Sequence, residues 1–135
     1  MKFYNSVGPN PHMVRMFMAE KGFEVPRVEV DLRGGENRRE PYLKVNPSGQ
    51  CPALELDDGT VLAEITAICE YIDEIKKDTP SLIGETPEER AKIPFAGAME
   101  GGGDPSTQYL VTYLSRKFGP VYVMRGKMPT FPNTY

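Results

Sequence analysis

Three short stretches of this chain hold residues whose types and spacing could do chemistry. Gln50-Cys51-Pro52 places a proline between a turn and a strand. An X-Pro bond at such a position can be cis, leaving the N–H and C=O of Cys51 facing a cleft where an extended peptide ligand pairs with them as a strand would. The plainer alternative is a proline that merely starts an edge strand. Glu64-Ile65-Thr66 stands where a strand gives way to a helix. N–H groups at a helix N-terminus attract a carboxylate, and Glu64 can hold an ammonium group, so together they suit the α-amino-acid end of a ligand. An acidic capping residue followed by Thr66 in the first turn is the alternative there. The third stretch, Pro9-Asn10-Pro11-His12, opens a helix and contains no cysteine. Dithiol exchange at this position lacks the thiolate it needs.

The chain has 2 cysteines, Cys51 and Cys69, and 1 histidine, His12. These are too few for a disulfide scaffold or a metal cluster, so no metal is expected, and neither is Cys-His hydrolase chemistry. Cys69 is in register with Ile65 and Ile72 and reads as a small core residue.

At 135 residues, with 26% charged and 39% hydrophobic side chains, the composition is that of a globular protein with one compact domain and a short appendage. The longest apolar candidate, Met13 to Ala19, is broken by Arg15, so no membrane span is expected. The opening Met1-Lys2-Phe3-Tyr4-Asn5 lacks the apolar core of a signal peptide, which makes the cytoplasm the expected location. A net charge of −3, from 16 basic and 19 acidic residues, argues against nucleic acid or an anionic membrane as partner. That charge is unevenly divided. Residues 1–91 carry 11 basic and 17 acidic side chains, and residues 92–135 carry 5 and 2. Gly and Pro together rise from 15 of 91 to 11 of 44 across the same point, a composition that favours low-complexity chain.

The elements that must position these stretches are legible from their punctuation. Lys2-Phe3-Tyr4 reads as a first strand, ended by Asn5, Ser6 and Gly8. Asn10 as N-cap and Pro11 at the first helical position start a helix, in which Met13, Val14, Phe17 and Met18 repeat at helical spacing until Gly22 stops it. Val28, Val30 and Leu32 alternate within a second strand over 25–32, so the two strands are joined by a crossover and run parallel. A polar, weak helix is expected from about Asn37 to Val45, then a turn at Asn46-Pro47-Ser48-Gly49. Two strands over 53–56 and 61–63 form a hairpin around Asp57-Asp58-Gly59-Thr60. In the last helix Ile65, Ile68, Cys69, Ile72 and Ile75 fall on one side, and Glu70, Asp73, Glu74, Lys76 and Lys77 around the other. The order β-α-β-α-β-β-α predicts an α/β, thioredoxin-like fold, with the site between the start of the first helix and the loop before the third strand.

On these residues the chain, from 1 to about 90, resembles the N-terminal, glutathione-binding domain of the soluble glutathione transferases. The resemblance is most specific from Glu40 to Ile72, through Asn46-Pro47-Ser48-Gly49-Gln50-Cys51-Pro52-Ala53-Leu54, Asp58-Gly59 and Leu62-Ala63-Glu64-Ile65-Thr66-Ala67-Ile68. It implies glutathione as co-substrate, conjugated to an electrophilic small molecule in a detoxification-type reaction, and a homodimer. It also assigns roles. Cys51, through its backbone, would pair with the cysteinyl part beside cis-Pro52, with Gln50 in the same binding stretch. Glu64 would hold the γ-glutamyl ammonium, and the N–H groups of Ile65 and Thr66 the γ-glutamyl carboxylate. The glycyl carboxylate needs a cation, with Lys44, Arg38 and Arg39 the nearest. The family has Ser where this chain has Ile65, so one side-chain hydroxyl is missing there. The donor that favours the glutathione thiolate would be Asn10, Ser6 or Tyr4, with His12, also near the start of the helix, read rather as a solvated first-turn residue. Asn10 is favoured, because Gly8-Pro9-Asn10-Pro11 is similar to the Pro-Asn-Gly motif of bacterial and fungal branches. A mixed disulfide through Cys51 is a lesser alternative.

The domain plan is then a binding domain over 1–80, a linker with the start of a helix over 81–91, and an atypical Gly/Pro-rich tail over 92–135, poorly ordered or partly helical around Tyr109 and Tyr113. The family's helical second domain is not recognisable in that tail. A non-catalytic glutathione-binding or protein-interaction module, or a non-functional fragment, are the competing functional readings.

Overall fold

A computed structural model describes residues 1–91 of the chain. The tail over 92–135, with its expected partial helix, lies outside the described residues. Strand β1 (Lys2–Asn5) leads into helix α1 (Pro9–Glu20) and returns as β2 (Arg27–Glu29). A 3-10 turn (Glu36–Arg38) and the short α2 (Tyr42–Val45) follow, then β3 (Ala53–Glu55), β4 (Val61–Leu62) and α3 (Ile65–Ile75). The four-stranded sheet has the order β2-β1-β3-β4, with β2 parallel to β1 and β3 antiparallel to β1 and to β4. This is the thioredoxin-like topology expected from the sequence. Residues 87–91 are again helical, with Thr86 Oγ1 accepting from Glu89 N at 3.1 Å.

The sheet separates two apolar layers. On one side Phe3 and Leu54 pack against Met13, Val14, Phe17 and Met18 of α1 and Ile65, Ile68, Cys69 and Ile72 of α3. Burying each large side chain of this set contributes about 1.5–3 kcal/mol. On the other side Tyr4, Val30, Tyr42 and Ala53 form a smaller layer beneath α2, with the Tyr4 and Tyr42 rings edge-on at 5.8 Å. Alternation along β1 sends Phe3 to the first layer and Tyr4 to the second.

Several sequence expectations need correction. The strand expected over 25–32 shrinks to three exposed residues at the sheet edge, where Val28 meets solvent and only Val30, beyond the strand, is buried. The single weak helix expected from Asn37 to Val45 is two pieces. Arg39 is extended and Pro41, which donates no N–H, separates the 3-10 turn from α2. On α3 the buried stripe takes in Asp73 and leaves Ile75 exposed.

Asp73 is buried because Lys21, the C-cap of α1, is buried with it. Lys21 Nζ lies 3.0 Å from Asp73 Oδ1 and donates to the carbonyls of Pro80 and Thr79 at 3.0 and 3.3 Å. Asp73 also accepts from Ser81 Oγ at 2.7 Å and Leu82 N at 3.0 Å. Burial works against the Asp73 charge, but these hydrogen bonds and the Lys21 cation outweigh it and hold the carboxyl below the ordinary aspartate value. The pair fastens the C-terminal halves of α1 and α3, and the loop after α3, to each other.

Candidate functional site

The pairing register gathers the three chemistry-bearing stretches at one edge of the sheet, the one formed where β1 ends and β3 begins rather than along an outer strand. Tyr4 faces Ala53, so Cys51 and Pro52 reach the sheet beside the end of β1 and the loop that leads into α1. Leu54 faces Leu62 and Glu55 faces Val61, so β4 runs back toward that edge and delivers Glu64 and the start of α3 there. Both long helices therefore begin at this edge, one on each side of the Cys51–Pro52 bond, which is cis.

Helix α1 opens differently from the expectation. Gly8, at φ +132°, occupies the N-cap and Pro9 the first helical position; no side chain caps the helix. Asn10 was expected to be the cap, but the helix already begins at Pro9, whose ring suits a first helical position, and this puts Asn10 inside the first turn. The first intrahelical bond runs from His12 N to Gly8 O at 3.3 Å. Pro9 and Pro11 have no N–H, so between Gly8 and His12 the one backbone N–H is that of Asn10, and its exposed side chain adds an amide.

The other two activating candidates are engaged elsewhere. Ser6 is buried and its hydroxyl donates to Val30 O at 2.6 Å. Tyr4 points to the α2 side of the sheet, away from α1, and its hydroxyl donates to Glu55 Oε2 at 2.6 Å. That bond to Glu55, reinforced by burial, raises the Tyr4 pKa above its ordinary value.

Around Cys51 the side chain and the backbone part company. Its half-buried thiol donates to Tyr42 Oη at 3.1 Å, while the Tyr42 hydroxyl donates to Gln50 O at 2.6 Å, which also accepts from Asn46 Nδ2 at 2.8 Å. Burial pushes the Cys51 thiol above its ordinary pKa, so it is a poor thiolate. These bonds tie α2 to the loop before Pro52 and hold the Gln50 carbonyl, leaving the exposed Gln50 side chain outside.

At the start of α3, Glu64 is the N-cap in extended conformation, exposed, with its side chain making no capping bond. Ile68 N donates to Glu64 O at 2.9 Å, and the N–H groups of the first turn precede that bond. Ile65 is buried in the core, so the position that differs from the family pattern turns its side chain away from the edge and offers only backbone. Among the cations, Lys44 is exposed and paired with Glu40 at 3.1 Å, and the Arg39 guanidinium donates to Gly34 O and Gly35 O. Arg38 is exposed.

Sequence reasoning missed a polar tie beneath this edge. Arg15 Nη1 donates to Asn5 Oδ1 and, at 3.2 Å, to Ser6 O, while Nη2 lies 3.1 Å from His12 Nδ1. Asn5, itself buried, passes the link on to Glu29 Oε1 at 2.7 Å. Arg15 interrupts the apolar run of α1, and that interruption was the available signal. Burial, together with the Arg15 charge, lowers the His12 pKa below its ordinary value. At the opposite ends of the same helices a polar cavity of about 290 Å³ lies beside Lys21, Asp73, Ser81 and Arg90. No described helix is long and apolar enough to cross a membrane.

Comparison with known proteins places this geometry. Residues 7–75 match the family model described as glutathione S-transferase, N-terminal domain. The chain is 48% identical over 88 residues to glutathione S-transferase 2 of Saccharomyces cerevisiae, covering 64% of this chain and 37% of that protein. It is 36% identical over 101 residues to maleylacetoacetate isomerase of Pseudomonas aeruginosa, covering 73% and 46%. A crystal structure of a glutathione S-transferase domain-containing protein from Marinobacter aquaeolei superposes with a TM-score of 0.66 at 48% identity, over 70% of this chain and 47% of that one. The chain thus spans less than half the length of these relatives.

Proposed function

We propose, from the premise that this chain belongs to the glutathione S-transferase family, that it binds glutathione at the open edge of the sheet and favours its thiolate for conjugation to electrophilic small molecules. The observation that carries this reading is the convergence at one edge of an exposed helix start with Asn10, the Cys51–Pro52 backbone, and an uncapped helix start with Glu64. That donor set fits a peptide with an ammonium, a carboxylate and a thiol.

In this reading residues 1–80 are the glutathione-binding domain, and residues 81–91 are a linker that includes the start of a helix. Cys51 pairs with the cysteinyl backbone, Glu64 holds the γ-glutamyl ammonium, and the first-turn N–H groups at Ile65 and Thr66 take the γ-glutamyl carboxylate. Lys44 can exchange its exposed partner Glu40 for the glycyl carboxylate, because an exposed pair contributes only about 0–1 kcal/mol. Asn10 is the activating donor, since Ser6 and Tyr4 have committed their hydroxyls. Lowering a thiol pKa by about two units takes roughly 2.7 kcal/mol of preferential stabilisation, within reach of one amide donor and a helix N-terminus.

Retention on immobilised glutathione, followed by a conjugation assay against a panel of electrophiles, tests the reading. Retention and protein-dependent conjugation are expected. Retention without conjugation would favour a non-catalytic glutathione-binding module, and a soluble chain that is not retained would contradict the site.

A further inference from the structure

We propose that Arg15 is a positioning residue of the site: its guanidinium ties the end of β1 to the first turns of α1 and so fixes where Asn10 meets the ligand thiol. The inference rests on the glutathione reading above. It goes beyond it by naming a residue that touches no part of the ligand in that account.

Side chains on a helix lean toward its N-terminus, so a residue in the second turn covers the first. Arg15 does so. One nitrogen of its fork bonds Asn5 Oδ1 and Ser6 O, and the other reaches His12 Nδ1, three residues back on the same helix face. Arginine only donates, so His12 Nδ1 is the acceptor in that bond and the ring is held in one orientation and one tautomer. Asn5 is anchored in turn to Glu29 on the neighbouring strand.

The loop between these anchors, residues 6–8, is the one that delivers Pro9 and Asn10. Gly8 within it sits at φ +132°, and no side chain caps the helix behind it. Without the fork, Ser6 Oγ to Val30 O is the remaining side-chain tie on this loop among the described residues. Lysine carries the same charge but cannot span three acceptors in a plane, so charge and positioning are separable by substitution.

The test uses the full chain and three variants: Arg15→Ala, Arg15→Lys and Asn5→Ala. For each, the pKa of bound glutathione thiol is read from thiolate ultraviolet absorbance against pH, the glutathione Kd from calorimetry, and folding from circular dichroism. The inference predicts that every folded variant raises the bound-thiol pKa by about one unit, a tenfold loss of thiolate preference, with Kd changed less than about threefold. Arg15→Lys keeps the test alive if the alanine variants fail to fold. An unchanged thiol pKa in folded Arg15→Lys overturns positioning, and so does a rise confined to Arg15→Ala, which would assign the effect to charge alone. A wild-type chain that binds glutathione without lowering its thiol pKa overturns the inference while leaving binding intact. Absence of wild-type binding overturns both readings.

Discussion

Helices α1 and α3 share a sheet face, and their two ends are built on opposite principles. At the C-terminal ends, Lys21 and Asp73 are buried, paired at 3.0 Å, and surrounded by carbonyl, hydroxyl and N–H partners. At the N-terminal ends no side chain caps either helix, and Asn10 and Glu64 stand exposed. One end satisfies its buried ion pair with groups of the protein itself; the other leaves donors and a carboxylate for something outside it. A closed end can hold two helices in register while the open end remains available for a ligand.

Breaking the closed end should give the largest effect. Asp73→Asn leaves the Lys21 cation buried without its counter-charge and should cost about 3–5 kcal/mol of stability by denaturant titration. The same contrast has a pH signature. The Asp73 carboxyl titrates below its ordinary value in the folded chain, so its stabilisation is complete above the ordinary aspartate range and is lost as pH falls through the lower, folded value. The wild-type chain should therefore lose stability in that acid window more steeply than Asp73→Asn does.

Changes at the open end should behave in the reverse way. Asn10→Ala should slow conjugation about 10²-fold while moving stability by less than about 0.5 kcal/mol, because Asn10 is exposed and caps nothing. Glu64→Gln should weaken glutathione binding roughly tenfold or more, the worth of a charge-assisted hydrogen bond, again without unfolding the chain. Lys44→Ala is the smallest perturbation, at most a few-fold in Kd, since its present partner is an exposed carboxylate.

The open end was more legible in the sequence than the closed one, for a physical reason. Turn chemistry is local. Asn46 to Gly49, the Gly59 hairpin and the proline after Cys51 each announce a backbone geometry that neighbours in sequence dictate, and the described fold follows them. Asp73 and Lys21 are far apart in the chain, and each alone reads as a surface charge on a helix. Only their tertiary pairing makes them core residues. The same holds for Arg15, whose three partners lie on β1, the following loop and its own helix. Asn10 was misplaced by two positions of helix start because two prolines, Pro9 and Pro11, each suit a first helical position. Gly8, at a positive φ that favours glycine, decided between them.

The contrast between the two ends is tested most directly by following backbone amide resonances of the full chain during titration with reduced glutathione. Saturable shifts confined to residues 8–12, 43–45, 50–53 and 64–67, with residues 21 and 73–84 unmoved, are the predicted result. Shifts centred on the Lys21–Asp73 end, or no saturable shifts in a folded chain, would contradict the account.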